Sequence, residues 1–255
     1  MGGVHSSENR LPFRSLGAGM LTTGDGLANL FPLRGMIPPD INPEEYSGKF
    51  QGDILLDDPT IVMLRNAYIA TDVLWPNNTV VWKFKKNDFD KEQRAAIQEA
   101  ICLIENKTCI RFRKPEPDEK VYVRITGNTT GCYSMVGYQA ERGIHVMNLA
   151  PHSPGSGCLR LGTIVHEFMH ILGFFHMHST HDRDDYVRIV EENITPAPTR
   201  YRPEHSIASP GIELPTFQFT KALKKFDGLM GQRDYVTDSD WLRINRNYDC
   251  PGAWD

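Results

Sequence analysis

The sequence lacks a run of eighteen or more apolar residues, a surplus of basic residues and any internal repeat. Without such a run, no membrane-spanning helix is expected. The 28 lysines and arginines stand against 32 aspartates and glutamates, a net charge of −4, which argues against a nucleic-acid partner. The first seven residues, Met1–Ser7, also lack the apolar core of a secretory signal peptide.

What the chain does have is the composition of a globular protein. Of its 255 residues, 40% are hydrophobic and 24% are charged, which excludes wholesale disorder, collagen and a coiled-coil rod. At about 150 residues per domain, this length predicts one or two domains.

Cysteines and glycosylation signals bear on the cellular compartment. The cysteines are Cys102, Cys109, Cys132, Cys158 and Cys250. Sequons of the form Asn-x-Ser/Thr begin at Asn77, Asn106, Asn128 and Asn193. The cysteines alone fit either reduced thiols or disulfides, and any four of them can pair in three ways. The four sequons favour the secretory route.

Hydrophobic periodicity predicts strands and helices in the same chain. One strand is predicted where Val80, Trp82 and Phe84 alternate with other residues. Two more are predicted over Val121–Ile125 and over Ile144–Leu149. Helices are predicted behind the capping box Asp90–Gln93, over residues 161–172, and behind the cap Thr237–Asp240. Residues 195–217 contain five prolines and no lasting period, so an irregular stretch is expected there.

The chemistry is concentrated in the pattern His166-Glu-x-x-His170-x-x-Gly173-x-x-His176. His166 and His170 stand one helical turn apart and project from the same face, so that both can bind one zinc ion. Gly173 can adopt a positive φ and end the helix, which lets His176 return as a third ligand. Three protein ligands leave a position for water, as in catalytic rather than structural zinc sites.

Glu167 follows the first of these ligands and can act as general base on a zinc-activated water. Two plainer interpretations are three solvated histidines at a helix end and a purely structural zinc site. The apolar residues Phe168 and Ile171 indicate a buried helix, in which unpaired histidines would be costly. A structural zinc would leave Glu167 without a role.

The motif and its surroundings resemble the astacin family of secreted zinc endopeptidases, a branch of the metzincin clan. The matching segments are Cys109–Phe112, Gly131–Gly137, Cys158–His166, Arg183–Val187, Gly231–Asp234 and Asp240–Cys250. The resemblance spans residues 49–251 and implies an α+β, metzincin-like fold of two subdomains. That fold has a twisted N-terminal sheet, an active-site helix and an irregular C-terminal subdomain.

The resemblance also implies one Zn²⁺ per chain, held by His166, His170 and His176. It further implies disulfides between Cys109 and Cys250 and between Cys132 and Cys158, which leave Cys102 over. Because the family is secreted, an extracellular location is implied, and we expect the true start with its signal peptide to differ from Met1.

Phe50-Gln-Gly-Asp53 resembles the family's pro-segment motif, in which the aspartate binds the zinc of the latent enzyme. A carboxylate can replace the catalytic water as a zinc ligand. Without the resemblance, these residues fit a strand end with a Gly-Asp turn. A trypsin-like protease is expected to activate the chain after Arg65. Residues 1–65 are therefore predicted to be an irregular pro-segment and residues 66–255 the catalytic domain.

The family's cleft lies between its two subdomains, and we interpret Ile144–Leu149 as the edge strand that pairs with substrate. Two features depart from the family. The Met-turn, Ser-x-Met-His-Tyr, is not found between Thr195 and Gln232, as if a segment had been removed. Met177 follows the third histidine, where many relatives carry a glutamate that anchors the freed N-terminus.

The sequence therefore predicts a secreted zinc endopeptidase that hydrolyses protein or peptide substrates once its pro-segment is removed. The alternative is a catalytically impaired, zinc-holding binding module, because the Met-turn and its tyrosine are absent. The intact Glu167 favours the enzyme. A nucleic-acid-binding zinc protein is disfavoured by the acidic balance and the ligand spacing.

Overall fold

The structure is a computed structural model. It describes residues 43–44, 47–57, 73–179, 183–185, 187–190, 217–219 and 231–255. The strands are β1 (Thr79–Phe84), β2 (Arg111–Arg113), β3 (Tyr122–Thr126), β4 (Cys132–Ser134), β5 (Ile144–Leu149), β6 (Val187–Ile189) and β7 (Phe217–Phe219). The helices are α1 (Lys91–Lys107), α2 (Leu161–Ile171) and α3 (Asp238–Asn247).

Five strands form one sheet in the order β2-β1-β3-β5-β4. β1 runs parallel to β2 and β3, β3 runs parallel to β5, and β4 is antiparallel to β5. β3 is buried along most of its length, as expected for the middle strand of a sheet covered by helices. β6 and β7 form a separate antiparallel pair.

The helices begin where the sequence predicts them. Asp90 and Gln93 form a reciprocal capping box at the start of α1, and Thr237 and Asp240 form another at the start of α3. Behind the first box, α1 buries one apolar stripe: Ile97, Ala100, Ile101 and Ile104. These helices and the strands β1, β3 and β5 confirm the predicted α+β class.

Helix α2 lies in the core and is tied down at its C-terminal end. The Phe168 ring packs edge-to-face against Phe112 of β2 with ring centroids 5.2 Å apart. The Trp75 indole donates a hydrogen bond to the Ile171 carbonyl at 2.8 Å, and the Tyr248 hydroxyl donates one to the Leu172 carbonyl at 3.0 Å. The C-terminal end of α2 is thereby held by Trp75, which precedes β1, and by Tyr248, which follows α3.

Two disulfides join distant parts of the same body. Cys132 of β4 is bonded to Cys158, which precedes α2, and Cys109 after α1 is bonded to Cys250 after α3. These are the two pairs that the family resemblance implied. Cys102 is a free, exposed cysteine on α1.

The prediction that Ile144–Leu149 is the edge strand was wrong. This strand, β5, pairs with β3 on one side and with β4 on the other. The described edge strands of this sheet are β2 and β4. The strand beside β5 is β4, whose three residues are too few to give a periodic sequence signal. The Cys132–Cys158 disulfide holds this short strand in place.

Several predictions fall outside the described residues. They concern the Arg65 cleavage site, the sequon at Asn193 and the expected Met-turn gap in the proline-rich stretch after Thr195. Of the helices that the structure describes, none combines the length and apolarity needed to cross a bilayer.

Candidate metal centre

Helix α2 and the turn after it bring three histidines together. The Nε2 atoms of His166 and His170 lie 3.2 Å apart on the same face of α2. Gly173 adopts φ = +100° and its N–H donates to the His170 carbonyl at 2.8 Å, so the helix ends as predicted. The chain then returns His176, whose Nε2 lies 3.3 Å from that of His166.

A fourth group, the carboxylate of Asp53, enters the same cluster from the N-terminal part of the chain. Its Oδ2 lies 2.9 Å from His166 Nε2, and its Oδ1 lies 3.2 Å from His176 Nε2 and 3.4 Å from His170 Nε2. Asp53 is 3% exposed. The structure thus brings together all four residues that the sequence analysis assigned to zinc.

These separations fit a tetrahedral zinc site. Ligand atoms at 2.0–2.1 Å from a tetrahedral ion lie about 3.3 Å from one another. The ligand atoms of Asp53 and the three histidines all lie within 4.8 Å of one another, and most of the measured separations are 3.2–3.4 Å. Three imidazoles and one carboxylate are also a ligand set that zinc accepts.

The far sides of the imidazole rings support the same assignment. His170 Nδ1 lies 2.7 Å from the Phe174 carbonyl oxygen, and His176 Nδ1 lies 3.0 Å from Gln51 Oε1. An Nδ1–H that donates to these oxygens leaves the Nε2 lone pair directed at the cluster centre. Gln51 was not predicted from the sequence.

The protein's charges favour a cation at this position. Burial lowers the pKa of His170, but the adjacent Asp53 charge and hydrogen bond outweigh it and leave that pKa raised. Burial and the Arg233 charge lower the pKa of His166 to about 4, which keeps its imidazole in the neutral form that binds metals. Burial raises the pKa of Asp53, yet the His176 and His170 charges hold it well below its ordinary value.

Glu167 lies beside the cluster and is fully buried. Its Oε2 accepts a hydrogen bond from the Ser134 hydroxyl at 2.5 Å, while its Oε1 has no hydrogen-bond partner among the described residues. Burial, together with the negative charges of Asp53 and Glu44, raises the pKa of Glu167 well above its ordinary value. One carboxylate oxygen is therefore held by Ser134, and the other makes no hydrogen bond to the described residues.

The segment that delivers Asp53 follows the edge of the sheet. We call the described residues Pro43, Glu44 and 47–57 the Asp53 segment. The Ser134 N–H donates to the Asp53 carbonyl at 2.9 Å, and the Leu55 N–H donates to the Ser134 carbonyl at 2.8 Å. Ile54 forms a parallel bridge with Ser134, so the segment lies beside β4 and runs parallel to it.

A tight turn presents the aspartate. Gln51 and Gly52 adopt φ = +52° and +99°, and Phe50 and Ile54 exchange backbone hydrogen bonds across the turn at 2.9 and 3.1 Å. The plainer interpretation of this stretch, a turn at Gly-Asp, is therefore correct for its backbone. The same turn places the Asp53 side chain among the three histidines.

Two more carboxylates of the Asp53 segment are paired with arginines of the body, by which we mean residues 73–179 and 231–255. Arg233 binds Glu44 through Nε at 2.8 Å to Oε1 and through Nη2 at 2.5 Å to Oε2. Arg142 binds Asp57 through Nε at 2.5 Å and through Nη2 at 2.9 Å. Burial raises the pKa of Glu44, but the Arg233 charge outweighs it and lowers that pKa.

The sequence analysis did not predict these pairs or Ser134. Arg233 and Ser134 stood inside segments that carried the family resemblance, but nothing in those segments indicated a contact. The sequons at Asn77, Asn106 and Asn128 lie at exposed positions. Met177, where the family resemblance led us to expect a glutamate, is 52% exposed.

Comparison with known proteins identifies relatives of this chain. The sequence model of the peptidase family "Astacin" matches residues 68–201, about half of the chain. Seminal metalloprotease 1 of Drosophila melanogaster is 30% identical over 82% of this chain and 90% of its own length. Astacin-like metalloprotease toxin 2 of Loxosceles intermedia is 32% identical over 84% and 88%, respectively.

A solved structure gives the same result for the fold. High choriolytic enzyme 1, a hatching-enzyme zinc-protease from Oryzias latipes, superposes with a TM-score of 0.58 and 26% identity. The match covers 72% of this chain and 98% of that one. The α+β, metzincin-like fold of two subdomains therefore applies to this chain.

Proposed function

Because the chain belongs to the astacin family of zinc metalloendopeptidases, we propose that it is a secreted endopeptidase made in a latent form. The observation that carries this proposal is the buried Asp53 carboxylate lying against all three histidines. His166, His170 and His176 hold the zinc ion in both forms. Asp53 is the fourth ligand only in the latent form.

We assign residues 1–65 to the pro-segment and residues 66–255 to the catalytic domain. A trypsin-like protease cuts after Arg65, and the Asp53 segment then leaves the cleft. The two disulfides and the four sequons support an extracellular location.

When bound, zinc supplies Lewis acidity that polarises the peptide carbonyl and makes an attacking water more acidic. Glu167 Oε1 takes a proton from that water as its oxygen bonds to the carbonyl carbon. The same carboxyl then gives the proton to the amine as the C–N bond breaks. Ser134 holds Oε2 throughout, so the proton is exchanged at one defined oxygen.

The alternative, a zinc-holding binding module without catalysis, is not favoured. Such a module would have no use for a buried carboxylate beside the metal ligands. Glu167 is fully buried and held by the Ser134 hydroxyl, which supports a working general base.

The test compares peptide cleavage by the zinc-loaded full-length protein before and after limited trypsin treatment. We expect little activity before treatment, high activity after it, and loss of activity in Glu167→Ala prepared in the same way. Glu99→Ala, on the exposed face of α1, is the matched control and should cleave like the wild type. A treated wild type that retains zinc and cleaves nothing would contradict the proposed function.

A further inference from the structure

The ion pair between Asp57 and Arg142 is built as a carboxylate-binding site. Nε and Nη2 of Arg142 contact the two different oxygens of Asp57, at 2.5 and 2.9 Å. The planar guanidinium matches a carboxylate in this two-point geometry. With the Asp53 segment in place, the Arg142 side chain is 4% exposed and the Asp57 side chain is 21% exposed.

Arg142 is also held by contacts that do not involve Asp57. Its Nη1 donates to the carbonyls of Val136 and Gly137 at 3.1 and 3.2 Å. The Gly137 N–H in turn donates to the His170 carbonyl at 2.9 Å. The guanidinium is therefore held at a fixed place relative to a metal ligand, and its Nε–Nη2 edge is the one that binds a carboxylate.

Asp57 reaches this site because the Asp53 segment lies along β4. The backbone of Asp53 and Leu55 pairs with Ser134 at the edge of the sheet, while the Asp53 side chain lies among the histidines. Asp57 follows Asp53 by four residues, roughly 13 Å of extended chain. Any peptide that pairs with the same edge and presents a carbonyl to the metal would pass Arg142 at about the same interval.

We propose that Arg142 is a substrate subsite for an aspartate or glutamate side chain. In the bound peptide, this acidic residue lies about four positions from the scissile bond, in the part of the peptide that lies nearest to Gly137. The inference rests on the proposed function, since activation must remove Asp57 before a substrate can bind there. It extends that function by naming a substrate class: extended peptides with a carboxylate at this distance from the cut.

The chemistry of the site accounts for this selectivity. An asparagine in place of the acid offers one acceptor and no charge, so it satisfies only part of the buried fork. A lysine in place of Arg142 would keep the charge but lose the two-point geometry and the bonds to Val136 and Gly137.

The test uses full-length, zinc-loaded, trypsin-treated protein and peptides that share one cleavable core. Each peptide carries aspartate or asparagine at one position, two to six residues from the cut on either side. We expect kcat/KM to be about tenfold higher for the aspartate peptide near the fourth position on one side. Arg142→Gln should reduce this ratio to about one, whereas Arg113→Gln, an exposed arginine that also pairs with a carboxylate, should preserve it.

A second readout does not depend on activity. Binding of the same peptides to trypsin-treated Glu167→Ala protein, measured by fluorescence anisotropy, should show the same tenfold preference and lose it in Glu167→Ala/Arg142→Gln. If the wild type cleaves nothing, the proposed function fails and the binding experiment still decides the subsite. Equal cleavage of aspartate and asparagine peptides at every position would overturn the subsite alone. So would an Arg142→Gln variant that slows both peptides equally.

Discussion

The body of the molecule and its Asp53 segment are held by different forces. The body, residues 73–179 and 231–255, is held by a continuous apolar core and by two disulfides. In the described part of the Asp53 segment, the buried apolar side chains are few: Ile54 is fully buried, and Pro43 is also buried. The remaining strong contacts of the segment are the carboxylates of Glu44, Asp53 and Asp57.

Under the proposed function, this difference separates the part of the chain that persists after activation from the part that is removed. Apolar burial and disulfides stabilise the body whether or not the segment is present. The segment makes contacts that depend on charge, on the metal ligands and on a few edge hydrogen bonds. Substitutions in the body should therefore change stability, and substitutions in the segment should change latency.

The largest effect is expected in the body. Replacing Cys109 and Cys250 together with serine removes a crosslink that spans 141 residues. The free energy of unfolding should fall by about 4 kcal/mol, because the unfolded chain gains conformational freedom. Denaturant unfolding followed by tryptophan fluorescence measures it. The folded variant should remain latent before trypsin treatment, and activity in the intact variant would contradict the separation of roles.

Asp53→Asn should produce the opposite result. An amide is a poor zinc ligand, so the intact chain should become at least about 100-fold more active, since even partners outside the ligand set contribute 10- to 100-fold. The unfolding transition of the body should stay where it was. Peptidase assays without trypsin measure the gain. Asp118→Asn, at an exposed position, is the control, and an Asp53→Asn chain as silent as that control would refute the switch.

Ser134→Ala tests the contact between edge strand and general base. Without its hydroxyl donor, the Glu167 carboxylate can rotate, and kcat of the trypsin-treated enzyme should fall roughly 10- to 100-fold while KM changes little. Ser156→Ala, which removes an exposed hydroxyl, should have no effect. If KM rises and kcat is unchanged, Ser134 serves substrate pairing and not Glu167.

Glu44→Gln should have the smallest of these effects. It weakens the buried pair with Arg233 and should raise the basal activity of the intact chain roughly threefold to tenfold. Hydrogen exchange of the amides at residues 47–57 should become faster. Glu119→Gln breaks another two-point pair, at the exposed Arg113, and is the matched control. Equal effects of the two variants would mean that burial of the Glu44 pair contributes nothing.

Local sequence patterns predicted the parts of this arrangement that depend on neighbouring residues. The spacing of His166, His170 and His176 around Gly173 requires one helix and one turn. The capping boxes at Asp90 and Thr237 involve residues three positions apart. Asp53 was reached only through a family resemblance, because its partner His166 lies 113 residues away.

The rest depends on pairings between distant residues that no local pattern encodes. Ser134 and Glu167 are 33 residues apart, Asp57 and Arg142 are 85 apart, and Glu44 and Arg233 are 189 apart. The wrong choice of edge strand has the same origin. Three residues of β4 give too short a pattern, and its place depends on a disulfide and on pairing with β5.

The most direct test of this account is anomalous diffraction at the zinc edge from crystals of the intact, zinc-loaded chain. The account predicts one strong peak between the Nε2 atoms of His166, His170 and His176, with the Asp53 carboxylate as fourth ligand. A peak bound by the histidines with Asp53 displaced from it, or a zinc ion bound elsewhere, would contradict the claim that the chain's own segment closes the metal site.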